Sequence, residues 1–259
     1  MRLDYFDCIS PLPLYLHNVG SIISPKLIDI AKISYYVYAQ YVSHLRMTPE
    51  DYCDVYLKSE QVNFEQLFQT TKFDLVLTDD RFRQIITSAL NFFFVETFQF
   101  YPEYKAFIST SNNNGELVAT GIINRDNYAG IIDIILQRVH ITPDENEIDD
   151  IKKAKNKRGI KIYKRMMEVR KKFQKNKGSN PNLTLPNIIA SVAAKSESQN
   201  WSNIWDITIF QLFDVFERLQ VIDSYGIISA QVAAWGDKEN KFKFGLWTNN
   251  IYDDGKNTE

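Results

Sequence analysis

An abrupt change of charge in the middle of the sequence most constrains how this chain can fold. The acidic run 144–150 is followed by residues 152–177, which hold 13 lysines and arginines but only one acid, Glu168. That stretch carries a formal charge of +12, whereas the 259-residue chain carries −2, so all other residues together carry −14. Such a segment can bury only a narrow stripe of its surface. We therefore predict an N-terminal α+β domain over 1–141, a charged helical connector over 142–182 and a C-terminal aromatic-rich helical domain over 183–259.

The composition favours helices. Aromatic residues make up 14 % of the chain and there are only ten glycines, a balance typical of long helices packed through Phe and Tyr. We predict an α+β fold that is predominantly helical, with N-terminal helices and small antiparallel hairpins, a charged amphipathic connector helix and a C-terminal helical part. The N-terminus lacks the apolar stretch of a signal peptide and no window approaches 18 uncharged apolar residues, so we expect a soluble, intracellular protein.

Turn and capping signals define the elements of the first 100 residues. Residues 17–20 predict a turn between two short strands. Ser24 and Pro25 predict the start of a helix that runs to Arg46. Thr48 followed by Pro49 predicts a second helix, and the stretch Thr78-Asp79-Asp80 is expected to cap a third. The buried face of that third helix is predicted to consist of Phe82, Ile85, Ile86, Ala89, Leu90 and Phe93.

The rest of the N-terminal part alternates between strand and helix signals. Residues 100–108 and 117–123 have alternating apolar positions around an Asn-Gly turn, which predicts an antiparallel hairpin. A helix is expected through Ile131 to Val139, ended by Thr142 and Pro143.

The connector and the C-terminal part are predicted to be helical. Apolar residues at i, i+4, i+7 and i+11 from Ile162 indicate an amphipathic connector helix with a lysine-rich back. Leu185 and Pro186 predict one further helix, and Asp206 is expected to cap a second. A separate apolar run, 227–235, should end at Gly236. All four tryptophans lie beyond residue 200, so we expect this part to have an aromatic core of its own.

The sequence contains no recognisable catalytic arrangement. The three histidines, His17, His44 and His140, are dispersed without metal-ligand spacing, and Cys8 and Cys53 are expected to be simple reduced thiols. Phosphate-binding and nucleophile-elbow motifs are absent. The acidic clusters at 79–80, 144–150 and 253–254 fit helix first turns and solvated loops. We therefore predict a protein without enzymatic activity, catalytic residues, metal or cofactor.

Two groups of residues are candidates for contact with a partner. The basic helix could neutralise phosphates or an acidic protein surface, or it could be a solvated helix balanced by the protein's own acids. Within it the cations to test first are Lys155, Lys157, Arg158, Lys161, Lys164 and Arg165. The second group is the tyrosine-rich stretch of the helix expected from Pro25, where apolar residues extend beyond one stripe; it comprises Tyr35, Tyr36 and Tyr38.

Several stretches resemble proteins encoded in the tail-assembly region of phages and prophages of Gram-positive bacteria, which are regarded as tail assembly chaperones or tail-associated proteins. The matching segments are Leu3 to Phe6 with the Ser24-Pro25 helix, Ile122 to Tyr128, Ile188 to Lys195, Asn203 to Asp206, Gln211 to Asp214 and Ala234 to Asp237. They cover most of the chain but consist of packing and capping residues.

The resemblance implies a non-enzymatic assembly factor in the cytoplasm of the bacterial host. Such a protein would bind the long, largely helical tape-measure protein, and also the tail-tube protein, while the tail assembles. The alternatives are a structural tail or baseplate component retained in the virion, and a nucleic-acid-binding module that uses residues 152–177. Nucleic acid is the less favoured partner because few base-stacking side chains lie among those cations.

Overall fold

The computed structural model describes residues 2–56, 70–113, 116–141, 183–237 and 242–252. Within these ranges the chain forms nine α-helices, five strands and two short 3₁₀ helices, which confirms the predicted α+β, predominantly helical class. The helices are α1 (Tyr5–Ile9), α2 (Leu27–Ile33), α3 (Tyr35–Arg46), α4 (Pro49–Tyr56), α5 (Lys72–Thr78), α6 (Asp80–Phe93), α7 (Tyr128–Arg138), α8 (Leu185–Lys195) and α9 (Ile209–Trp235). The strands are β1 (Leu14–Leu16), β2 (Gly20–Ile22), β3 (Phe98–Tyr101), β4 (Ala106–Asn113) and β5 (Glu116–Ile123). The predicted connector at 142–182 lies outside the described residues.

The strands form two small antiparallel sheets. β1 and β2 make the predicted first hairpin, whose turn places Asn18 at φ 59°. The second sheet has the order β3-β4-β5, so the predicted hairpin between β4 and β5 is confirmed. The single strand predicted over 100–108 was wrong, because the chain turns at residues 102–105 and Lys105 adopts φ 46°. That turn lets β3 pair with β4 as a third strand.

The helix predicted from Pro25 to Arg46 is two helices. Ser34 adopts φ 74° and its hydroxyl accepts a hydrogen bond from the amide of Val37, so it ends α2 and caps α3. Ser24 does not cap α2, because its hydroxyl donates to the carbonyl of Arg138 at 2.8 Å. The first amide of α2, that of Leu27, instead donates to the carbonyl of Ile207 at 3.0 Å. A contact distant in sequence thus replaces the expected local cap.

Two corrections concern the C-terminal part. The helix expected after Asp206 and the separate apolar run 227–235 form one 27-residue helix, α9, which ends where Gly236 adopts φ 77°. Its cap is Thr208, whose hydroxyl accepts from the amide of Gln211 while the Gln211 side chain accepts from the amide of Thr208. Asp206 lies instead in a 3₁₀ helix, Ile204–Asp206.

The core joins residues from both sides of 142–182. In the N-terminal part α6 contributes the predicted buried face, although Ile85 is only half-buried. The same hydrophobic cluster includes residues of α8 and the start of α9, namely Leu185, Ile188, Ile189, Val192, Ile209, Phe210 and Leu212. The two sides therefore share a core in this structure. The domain boundaries placed at 141 and 183 stay a prediction.

Asp79, at the start of α6, contributes to the stability of the fold in a way that depends on pH. Its carboxylate accepts hydrogen bonds from the Tyr52 hydroxyl at 2.6 Å and from the amides of Arg81 and Phe82 at 2.8 and 3.1 Å. Burial acts to raise the pKa of Asp79, but these hydrogen bonds and the charge of Arg81 together lower the pKa below its usual range. A carboxyl group with a lowered folded-state pKa stabilises the fold at neutral pH, and this contribution is lost as the pH falls through that pKa.

We therefore expect Asp79→Ala to lower the free energy of unfolding by about 1–2 kcal/mol at neutral pH, and by less near pH ~2, where the wild-type carboxyl is protonated. Urea denaturation of both proteins at the two pH values measures this. Asp80→Ala is the control, because the Asp80 side chain is 81 % exposed and its ion pair with Arg83 lies at the surface. An equal loss for Asp79→Ala at both pH values would contradict the assignment.

Candidate partner-binding surface

The most unusual surface of the described chain is the distal half of α9, defined here as residues 220–235. The proximal half is anchored, since Ile209, Phe210 and Leu212 are buried. The distal half leaves large apolar side chains in solvent. Ile222 is 43 % exposed, Ile227 61 %, Ile228 39 % and Trp235 76 %. Four large apolar side chains on one helical segment are more than the scattered surface residues of an ordinary globular protein.

This segment is also nearly free of charge. After Asp223 the next Asp, Glu, Lys, Arg or His is Asp237, so 13 consecutive residues carry no ionisable side chain of these types. Apolar residues occupy several sides of the helix, and a helix that is hydrophobic all round is normally buried. The surface is therefore suited to contact with another protein.

Only one side of distal α9 is covered by the described residues 242–252. Phe242 stacks on Tyr225 with ring centroids 5.5 Å apart, and Phe244 packs edge-on against Phe242 at 5.0 Å. The Arg218 guanidinium donates to the carbonyls of Trp247 and Asn249 at 2.9 and 2.8 Å. These contacts hold the segment beside α9, but Phe244 is itself 78 % exposed and extends the apolar surface.

The tryptophans do not form the separate aromatic core that we expected. Trp201, Trp205, Trp235 and Trp247 are all among the exposed large side chains. The core that α9 reaches is the shared one, where Phe210 is fully buried. The apolar run 227–235 was recognised in the sequence, but its exposure was missed. The run contains no charged residue on any side of the helix. This was the sequence signal that could have indicated a partner surface.

The structure describes only some of the predicted contact residues. Lys155, Lys157, Arg158, Lys161, Lys164 and Arg165 lie outside the described residues. Tyr35 and Tyr36 are 47 % and 78 % exposed and could reach a partner. Tyr38 is buried, with its ring 6.3 Å from both Phe92 and Phe93, so it belongs to the core. Contact through Tyr35 and Tyr36 stays a prediction.

A polar cavity of about 160 Å³ lies between the end of α7 and α9. It is lined by Gln137, His140, Ile141, Glu217, Ile251 and Tyr252. His140 Nε2 is 3.6 Å from Glu217 Oε2, and the histidine ring stacks on Phe213 with centroids 5.4 Å apart. Burial raises the pKa of Glu217; His140 opposes this rise and Asp214 adds to it. The stacking supports the interpretation of His140 as a packing residue.

Two groups at this end of the cavity, the lining residue Tyr252 and the neighbouring Cys8, are poor nucleophiles. Burial is the main cause that raises the pKa of both Tyr252 and the Cys8 thiol, and the Cys8 Sγ and Tyr252 hydroxyl lie 3.5 Å apart. A thiol with a raised pKa stays protonated at neutral pH and is a poor nucleophile. Cys8 and Cys53 are both free, as predicted. Across the described ranges, no three His, Cys, Asp or Glu side chains lie close enough together to hold a metal ion.

Comparison with known proteins gives one family match. The model of the YomV second domain matches residues 173–252, a span that includes α8 and all of α9. YomV is encoded by phages and prophages, so the match relates the chain to phage proteins. No curated protein and no solved structure matches the chain. Among the described helices, including α9 with its 27 residues, none has the length and apolarity needed to cross a membrane.

Proposed function

We propose that this phage-related protein is a non-enzymatic tail assembly factor that binds another tail protein through the distal half of α9. The tape-measure protein is the main expected partner. The observation that carries the proposal is the exposed, uncharged, apolar surface of that segment. The family match to a phage-encoded protein covers the same helix, and the sequence resemblance to tail-assembly proteins includes it at both ends.

The chemistry of the surface suits a helical partner. An apolar helix binds most readily in a groove or against a second helix whose own apolar stripe it covers. A tape-measure protein is long and helical, so it presents such stripes before the tail tube encloses it. Isoleucine and tryptophan anchors supply binding energy by area burial, without charges to be matched. This is the behaviour expected of a chaperone-like protein that keeps an apolar helix in solution in the host cytoplasm.

Co-expression with the tape-measure protein from the same phage or prophage tests the proposal. We expect a complex that purifies together and keeps the tape-measure protein soluble. Ile227→Asp should weaken this complex at least about tenfold, because it buries a carboxylate in an apolar contact. Val95→Asp is the matched control, since Val95 is 62 % exposed, close to the 61 % of Ile227, but lies on the loop after α6.

Two proteins that purify separately, with no gain in tape-measure solubility, would refute the proposal. Recovery of this chain in purified virions would instead identify it as a structural tail or baseplate component. Equal weakening by Ile227→Asp and Val95→Asp would show that distal α9 is not the contact surface.

A further inference from the structure

The exposed side chains of distal α9 point to more than one direction in space. At 3.6 residues per turn, Ile228 and Trp235 lie on nearly the same side because they are seven residues apart. Ile222 lies about a third of a turn to one side of them, and Ile227 lies about a quarter of a turn to the other side. The segment 242–252 contacts the side of Tyr225, which lies between Ile222 and Ile228. Much of this helix therefore needs a cover that the described part of the chain does not provide.

The charge pattern indicates which cover fits. A partner recognised through charge would need opposite charges to meet, and residues 224–236 offer no Asp, Glu, Lys, Arg or His. A partner with charged residues on its contact face would leave them desolvated and unpaired. A second copy of the same segment brings neither difficulty. It is apolar and uncharged over the same length, so a two-fold arrangement would be self-complementary.

The size of the surface sets the strength of such a contact. The uncharged turns 224–235 span roughly 18 Å at 1.5 Å per residue. The twelve residues 224–235 together with Phe244 form a smaller patch than the roughly 20–30 residues per partner of a stable complex. Pairing should therefore be weak and dependent on concentration. A weak pair can exchange one copy for a different partner.

We propose that two copies of this chain pair through distal α9, with Ile227, Ile228 and Trp235 of each copy in the contact, and that a tail protein binds by replacing one copy. Self-association would shield the apolar helix until that partner is made. The pairing can be tested on the purified protein alone and does not depend on the proposed function. The role of pairing in shielding the apolar helix rests on the proposed function. The same residues would serve both contacts, so the two compete.

Sedimentation analysis of the purified full-length protein tests the pairing. Over concentrations from about 1 to 100 µM, we expect the wild-type mass to rise from monomer toward dimer. Ile227→Asp and Trp235→Asp should each weaken the association at least about tenfold and stay monomeric over this range. Val95→Asp should behave as the wild type. Circular dichroism of each variant establishes that it is folded. If Ile227→Asp does not fold, Trp235→Asp is used as the test variant.

Other outcomes overturn the pairing or separate it from the proposed function. A wild-type protein that stays monomeric throughout would mean that distal α9 is covered within one chain or waits for a different protein. A dimer that survives both substitutions would use another surface. A monomer that still co-purifies with the tape-measure protein would remove the pairing and keep the proposed function. A dimer lost on substitution, with no tape-measure complex, would keep the pairing and remove the function.

Discussion

Replacing Gly121 with alanine is expected to destabilise this protein by about 3 kcal/mol or more, because the site has no room for a side chain. Gly121 is buried in β5, opposite Ser109 of β4. A Cβ atom added there would overlap the carbonyl oxygen of Val19 and would lie 2.8 Å from the Ser109 hydroxyl. The oxygen is backbone and cannot rotate away, so the β1–β2 turn would have to move.

That movement would break contacts between the two sheets. The amide of Ile122, the next residue, donates to the carbonyl of Asn18 at 2.9 Å, which holds the first hairpin against β5. Beside it the strand pairing is irregular between Ser109 and Thr110, where the Thr120 hydroxyl donates to the Ser109 carbonyl at 3.2 Å. The glycine thus permits a close approach of two backbones, the recognised use of glycine inside a strand.

Gly130 supplies the control for this measurement. It lies in α7, and a Cβ atom added there meets nothing within 4 Å. Gly130→Ala should leave the fold intact and raise the free energy of unfolding by about 0.5–1 kcal/mol, because alanine loses less entropy in a helix. Chemical denaturation of both variants distinguishes the effects by sign. Similar behaviour of the two glycine variants would contradict the close approach at β5.

Replacing Arg138 with methionine is expected to cost about 3 kcal/mol and to loosen the start of the chain. The Arg138 side chain is 1 % exposed at the end of α7, and its guanidinium donates to the carbonyls of Asp7 and Leu12, the latter at 2.7 Å. Burial lowers the pKa of Arg138. Methionine fills similar space but donates nothing, so two part-buried hydrogen bonds to backbone carbonyls would be lost beside the buried side chain.

The loss should appear first near the N-terminus. Leu3 is also tied to α7, where its amide donates to the Gln137 side chain at 2.8 Å. We expect limited proteolysis or hydrogen exchange to show earlier opening of residues 2–13 in Arg138→Met than in the wild type. Arg125→Met is the matched control, because Arg125 forms a more exposed ion pair with Asp74 and should cost below about 1 kcal/mol. Unchanged protection of residues 2–13 would contradict this role of Arg138.

Arg138 and Gly121 show what the sequence did not indicate. A single arginine at the end of an apolar helix is accounted for by the helix dipole. The sequence gives no sign that its guanidinium connects α1 with the residues just before β1. One glycine in an alternating strand suggests a bulge but not which backbone lies over it. Both roles depend on residues more than 100 positions away in sequence.

Local signals were reliable where neighbouring residues determine the outcome. The alternating pattern of β5, the Asp79 cap and the Gly236 stop all act within a few residues, and β5, the start of α6 and the end of α9 lie where expected. The predicted Asn114-Gly115 turn lies outside the described residues. Ser24 failed as a cap because a tertiary contact supplied another partner, whereas Asp206 failed because Thr208 and Gln211 form the local cap of α9. Ser24 bonds to Arg138, and a bridge between Lys26 and Thr208 aligns the starts of α2 and α9.

The sequence alone determined the helical α+β class, the positions of most helices and hairpins, and the absence of any familiar catalytic motif, since periodicity and capping are short-range. Only the tertiary structure decided which apolar residues are covered. The apolar pattern of α9 is continuous from Ile209 to Trp235, yet its first turns are buried and its last turns lie in solvent. Burial depends on whether other elements reach a residue, and the proposed partner-binding surface lies where no other described element covers α9.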